Sequence, residues 1–139
     1  MSATTEALRK VPLFSQLDDK TLGRLEKMSR ERTFDTGDDI VRQGDEGSGA
    51  FVIINGKVEV LRDGRKLADL GAGNFFGEMA LLDNYRRSAT VRALEPTRCI
   101  VIPRSDFVAE LHGNNELCFQ MLRLMSRRVR EVEQALTTE

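Results

Sequence analysis

The spacing of apolar residues changes twice along the chain. In the first stretch, Thr4 to Ser29, Leu22, Leu25 and Met28 recur at helical steps, which predicts a helix capped by Asp18 or Asp19. A shorter helix and an irregular Val11-Pro12-Leu13-Phe14 segment precede it. From Arg32 to about Pro103 the pattern becomes short strands, among them Phe51–Ile54, Val58–Leu61 and Arg65–Leu70, separated by turn residues. The turns are Asp35-Thr36-Gly37-Asp38, Asn55-Gly56, Asp63-Gly64 and Gly71-Ala72-Gly73. Asn-Gly and Asp-Gly predict tight hairpins, because both central residues of such a turn need positive φ. Helical spacing returns over about Ser105–His112 and Asn115–Ala135. The expected fold is mainly β with flanking helices (α+β): an antiparallel β roll or jelly roll with N-terminal helices, a short cassette helix and two C-terminal helices. Residues 1–139 are read as one domain, with an N-terminal helical segment over 1–31, a β roll over 32–103 and C-terminal helices over 104–139.

The stretch Phe76 to Val91 departs from that pattern. A glycine turn at Gly77 leads into a brief run of helix formers, Glu78-Met79-Ala80-Leu81-Leu82, and the run ends before Arg86-Arg87-Ser88-Ala89-Thr90-Val91. So short a helix is unstable alone, so its free N-terminal N–H groups are expected to hold an anion. Gly77 lets the backbone approach that anion closely. Arg87, ten residues on, can return on the next strand and supply two charge-assisted hydrogen bonds to it. Glu78 would repel an anion and is better suited to accept from a sugar hydroxyl beside it. A 3′,5′-cyclic nucleotide presents a single free ribose hydroxyl next to its phosphate, which one Glu and one Arg suffice to recognise.

Phe76-Gly77-Glu78-Met79-Ala80-Leu81-Leu82 and Arg87-Ser88-Ala89-Thr90-Val91 resemble the phosphate-binding cassette of the cyclic nucleotide-binding domains found in Crp-type regulators, cyclic nucleotide-dependent kinases and cyclic nucleotide-gated channels. Ile40–Gly47 and Phe51–Val60 look like the early strands of that family, and the resemblance covers about residues 5 to 135. It implies that Glu78 holds the ribose 2′-hydroxyl and Arg87 the phosphate. The backbone around Gly77, Met79, Ala80, Ser88 and Ala89 would take the remaining phosphate oxygens. Arg86 departs from the proline or small residue usual before the arginine and is read as a solvated charge. Ser88 stands where the family often has Ala in cyclic AMP binders and Thr in cyclic GMP binders. A serine hydroxyl could reach the guanine amino group, but Crp-type cyclic AMP binders tolerate Ser there. Cyclic AMP is therefore the expected ligand, with cyclic GMP as the alternative, and the expected role is a signalling sensor in which ligand binding moves the C-terminal helix.

Composition narrows the rivals. A formal net charge of -1 with a pI near 5.9 gives no basic field for nucleic acid. In Crp-type regulators a helix-turn-helix follows the long helix, and this sequence ends at Glu139, so no DNA binding is expected of this chain alone and a sensor fragment of such a regulator is one alternative. A ligand-free β roll kept for protein association is the other. No apolar stretch spans a membrane and the polar N-terminus lacks a signal-peptide pattern, which places the expected protein in the cytoplasm without membrane contact. His112, Cys99 and Cys118 form no metal-ligand or nucleophile–base pattern, so no enzyme activity, metal or cofactor is expected, and the cysteines are read as free thiols.

In the last helix, Cys118, Leu122, Met125, Val129, Val132 and Leu136 follow alternating steps of four and three, a heptad seam. Leu117, Met121 and Leu124 add a second stripe in the first half only, which should pack on the roll. Arg128 and Glu133 fall at g and the next e, the pairing of a parallel two-stranded arrangement, and a parallel homodimer through helix 115–136 is expected. The resemblance agrees, since Crp-type regulators dimerise along this helix. Where they place hydroxyl residues for the base, this chain has Val132 and Glu133, leaving Arg127 or Arg130 as weaker candidates.

Overall fold

The computed structural model describes residues 3–12, 14–77 and 86–137. Two helices, α1 (Ala3–Arg9) and α2 (Asp19–Met28), lead into eight strands: β1 (Arg30–Phe34), β2 (Asp39–Val41), β3 (Gly49–Asn55), β4 (Lys57–Arg62), β5 (Arg65–Gly71), β6 (Phe75–Phe76), β7 (Thr90–Ala93) and β8 (Thr97–Pro103). Helices α3 (Arg104–His112) and α4 (Asn115–Thr137) follow. Asp18 caps α2: its side chain accepts from the Thr21 N–H at 2.8 Å, and that bond holds the carboxyl below its usual pKa. The strands form two antiparallel four-stranded sheets, ordered β1-β8-β3-β6 and β2-β7-β4-β5. This is the expected β roll with flanking helices.

Two cores share the first sheet. On β3, Ala50 and Val52 face the helices and pack with Leu8, Phe14, Leu22, Leu25, Phe107 and Leu117. Phe51 and Ile53 point the other way, between the sheets, beside Ile40, Val58, Phe76, Val91 and Cys99. The period of a strand is two, so a strand covered on both faces must be apolar throughout, which is why 50–54 reads as an unbroken hydrophobic run. Strand β8 is divided likewise, with Ile100 and Ile102 on the helix side and Cys99 between the sheets. Phe14 closes the helix side by edge contacts with Phe75 (5.5 Å) and Phe107 (6.4 Å).

Only one of the two predicted tight hairpins forms. Asp63 (φ 53) and Gly64 (φ 79) both take positive φ and join β4 to β5, with Arg62 opposite Arg65. Asn55-Gly56 does not make such a turn. Among the two, only Gly56 has positive φ, and β3 and β4 lie in different sheets, so this dipeptide carries the chain from one sheet to the other. The crossing is tight: a Cβ on Gly56 would stand 2.7 Å from the Thr97 Cα and 2.8 Å from the Pro96 carbonyl oxygen. Leu117 and Met121 are buried and Leu124 packs at the core edge, as the second stripe of α4 predicts, whereas Leu122, Val129, Val132 and Leu136 are 57–75% exposed.

Candidate functional site: an arginine between two sheets

The site is built where β6 ends and the chain returns toward β7. Glu78, Met79 and Ala80, together with the expected cassette helix, lie outside the described residues. Gly77, Arg87, Ser88 and Ala89 are described, and the first two are in contact. Gly77 has φ 79, and a Cβ there would stand 2.6 Å from Arg87 Nη1 and 3.3 Å from the Gly49 carbonyl oxygen. Only glycine lets the backbone pass this close to the guanidinium.

Arg87 is held by its backbone and aimed by its side chain. Its N–H donates to the Asp45 carbonyl at 2.7 Å and its carbonyl accepts from the Gly44 N–H at 2.9 Å. The guanidinium runs inward over the Phe51 ring, 5.9 Å from the centroid, and Phe51 stacks on Phe76 at 5.1 Å with the rings nearly parallel. Nη2 donates to the Gly49 carbonyl at 2.8 Å. Nη1 is buried and has no hydrogen-bond partner among the described residues. Half-burial pushes the guanidinium pKa down from its usual value. A cation so placed is incompletely compensated, and an anion that takes up Nη1 relieves that cost.

The neighbouring residues differ in kind. Arg86 is exposed and its Nη1 donates to the Gly44 carbonyl at 2.9 Å, so it is tied to the loop before β3 rather than simply solvated. Ser88 is exposed and its carbonyl accepts from Arg62 Nε at 3.1 Å. Neither the Ser88 nor the Ala89 N–H donates to another loop backbone group among the described residues. The sequence reading passed over Gly44, Asp45, Gly49 and Phe51 as contributors. They lie a sheet away from Arg87 in sequence, and the only signal was the early-strand resemblance over 40–60.

Other chemistry-bearing residues stand apart. Cys99 is buried between the sheets, where burial pushes its thiol pKa up to about 12. Cys118 donates to the Leu111 carbonyl at 3.2 Å, and both cysteines are free. His112 is exposed at the end of α3, beside the Gly113 cap. Among the described residues no cluster of His, Cys, Asp and Glu could hold a metal ion, and no helix is long and apolar enough to cross a membrane.

A model of the cyclic nucleotide-binding domain matches residues 31–114, which contain the whole β roll from β2 onward and the Gly77–Arg87 contact. The chain belongs to the cyclic nucleotide-binding domain family. Two curated relatives come from its regulatory branches. The cAMP-dependent protein kinase regulatory subunit of Yarrowia lipolytica is 39% identical over 84 residues, 60% of this chain and 22% of that protein. The Cyclic AMP receptor protein of Thermus thermophilus is 33% identical over 127 residues, 88% of this chain and 59% of that protein. This chain thus spans less than two thirds of either relative. The regulatory domain of Toxoplasma gondii PKA, solved as a co-crystal with cAMP, superposes with a TM-score of 0.72 at 31% identity, covering 77% of this chain and 42% of that one. The family's fold accounts for the two sheets and the helices that flank them.

Proposed function

We propose that residues 1–139 act as one cytoplasmic sensor module that binds a 3′,5′-cyclic nucleotide, with cyclic AMP preferred over cyclic GMP, and passes the bound state to α4. One observation carries the reading: the buried Nη1 of Arg87, without a hydrogen-bond partner among the described residues, lying against a glycine that lets the backbone pass close to it. In this reading Arg87 takes the cyclic phosphate, and the backbone of Gly77, Met79, Ala80, Ser88 and Ala89 takes its remaining oxygens. Glu78 accepts from the ribose 2′-hydroxyl. No step of catalysis is assigned, and no metal or cofactor is required. The preference for cyclic AMP draws support from relatives whose names carry it and from the co-crystal with cAMP. The exposed stripe of Leu122, Val129, Val132 and Leu136 supports a parallel homodimer along α4, and no DNA contact is assigned to this chain by itself.

Calorimetric titration tests the reading. Saturable binding is expected, tighter for cyclic AMP than for cyclic GMP, and tighter for the ribo than the 2′-deoxyribo form. Glu78→Gln is expected to lose part of that last preference. If neither cyclic nucleotide binds below millimolar concentration, the reading falls. The bare apolar stripe on α4 then makes a protein-association module the better account. Sedimentation addresses the dimer: wild type is expected to associate and Val129→Glu to remain monomeric. A wild type monomeric at high micromolar concentration, with and without ligand, removes the dimer.

A further inference from the structure

We infer that Arg62 and Gln43 are positioning residues for the anion site, tying the tip of the β4–β5 hairpin to the segment that carries Arg87, Ser88 and Ala89. The inference rests on the cyclic nucleotide reading of that site. The backbone ladder between β4 and β7 ends at Leu61 opposite Thr90. Beyond it, side chains continue the connection. Arg62 Nε donates to the Ser88 carbonyl at 3.1 Å, and the Gln43 N–H donates to Thr90 Oγ1 at 2.9 Å. The Gln43 amide then closes a reciprocal pair with Asp63: Nε2 donates to Oδ1 and Oε1 accepts from the Asp63 N–H, each at 2.9 Å. Asp63 has φ 53, and this two-point grip fixes a residue in the left-handed region. Gly44 and Asp45, next to Gln43, grip the backbone of Arg87. The segment 86–90 is therefore held from the loop at 43–45 and from the hairpin tip, and Gln43 joins the two holds.

The grip on Ser88 has a directional consequence. In a trans peptide the C=O and N–H point in opposite directions, so fixing the Ser88 oxygen also fixes where the Ala89 N–H points. That N–H is among the groups assigned to the phosphate. Arg62, Gln43 and Asp63 are all exposed, where hydrogen bonds contribute little to folding, so their arrangement is better explained by positioning than by stability.

Titration of the full chain with cyclic AMP tests this, using Arg62→Ala, Gln43→Ala, the double variant, and Arg65→Ala on the far side of the same turn. Arg62→Ala is expected to weaken binding by roughly three- to tenfold, with Tm unchanged. Gln43→Ala should weaken it less, and the double variant less than the two losses combined, because both act through one hairpin. Arg65→Ala should bind as wild type. In ligand-free protein, the NMR order parameter of the Ala89 N–H should fall in Arg62→Ala and not in Arg65→Ala. Wild-type affinity and a wild-type Ala89 order parameter in Arg62→Ala overturn the inference while leaving the site intact. Equal losses for Arg62→Ala and Arg65→Ala also overturn it, because the effect is then one of charge alone. A wild type that binds neither cyclic nucleotide removes both the site and its positioning.

Discussion

Arg87 and Arg92 lie five positions apart on one run of chain, and the protein treats them in opposite ways. Arg92, on β7, is 43% exposed and faces a carboxylate: its Nε donates to Asp39 Oδ1 at 2.8 Å, and Arg42 reaches the other oxygen at 3.3 Å. The pair raises the Arg92 pKa and holds the Asp39 carboxyl below its usual range, chiefly through their hydrogen bond. Arg87 is turned inward, against a carbonyl and an aromatic ring, and its pKa is lowered by burial. An arginine that only holds strands together gets its counter-charge from the fold. One that meets no carboxylate among the described residues keeps its charge for something that arrives from outside.

Substitution can break that contrast. The largest effect is expected at Arg87→Ala, which should weaken cyclic nucleotide binding on the order of a hundredfold, since charge-assisted bonds to a partly buried phosphate are lost. Because Arg87 makes no ion pair among the described residues, Tm should hardly fall. Arg86→Ala, which removes a side-chain bond to the Gly44 carbonyl, should cost less than about threefold in the same titration. Equal losses at the two positions would falsify the assignment of Arg87 as the phosphate ligand.

A smaller effect is expected at Gly77→Ala. Alanine held at φ 79 is strained by about 1 kcal/mol, and its Cβ displaces the guanidinium it would touch, so binding should weaken by roughly tenfold. Crystallography or amide shifts of Arg87 would reveal the displacement. Arg92→Ala should behave in the reverse sense, lowering stability in urea by about 0.5–1 kcal/mol while leaving affinity unchanged.

The smallest expected effect is on acid stability. Asp39 has a folded pKa below its unfolded value, so its contribution is complete above about pH 5, and is lost as pH falls through the unfolded value of 3.8 toward the folded one. Asp39→Asn should be less stable at neutral pH and show a shallower loss on acidification. Urea midpoints measured down this range would show parallel curves if the Arg92 pair contributes nothing.

The same contrast explains what could be read in the sequence. Turns and strands whose signal is local were legible: Asp63-Gly64 forms the expected hairpin, and Phe51–Ile54 lies in a strand as expected. Asn55-Gly56 carries the same local signal and forms a different structure, because Thr97 and Pro96, brought there by the far end of the roll, decide what fits beside Gly56. Arg87 stood out by its spacing from Gly77. Its surroundings did not, since Gly49 and Phe51 are adjacent to it only across the sheet. The exposure of Val129 and Leu136 was foreseeable from the heptad continuing past the second stripe. The place of Glu78 is a matter for the titrations above.

The pairing of β3 with β8 also dictates a timetable. Phe51 lies opposite Val101, and Ala50 opposite Ile102, so the central ladder cannot zip until the intervening chain has been made and brought round. Loop closure of that length is costly before any contact rewards it, which makes for slow folding compared with helical proteins of equal size. During synthesis the apolar run at 50–54 waits with both faces bare, the condition in which β segments find one another in other chains. Lesions in this ladder will therefore first be seen as low soluble yield, with the surviving molecules still able to bind.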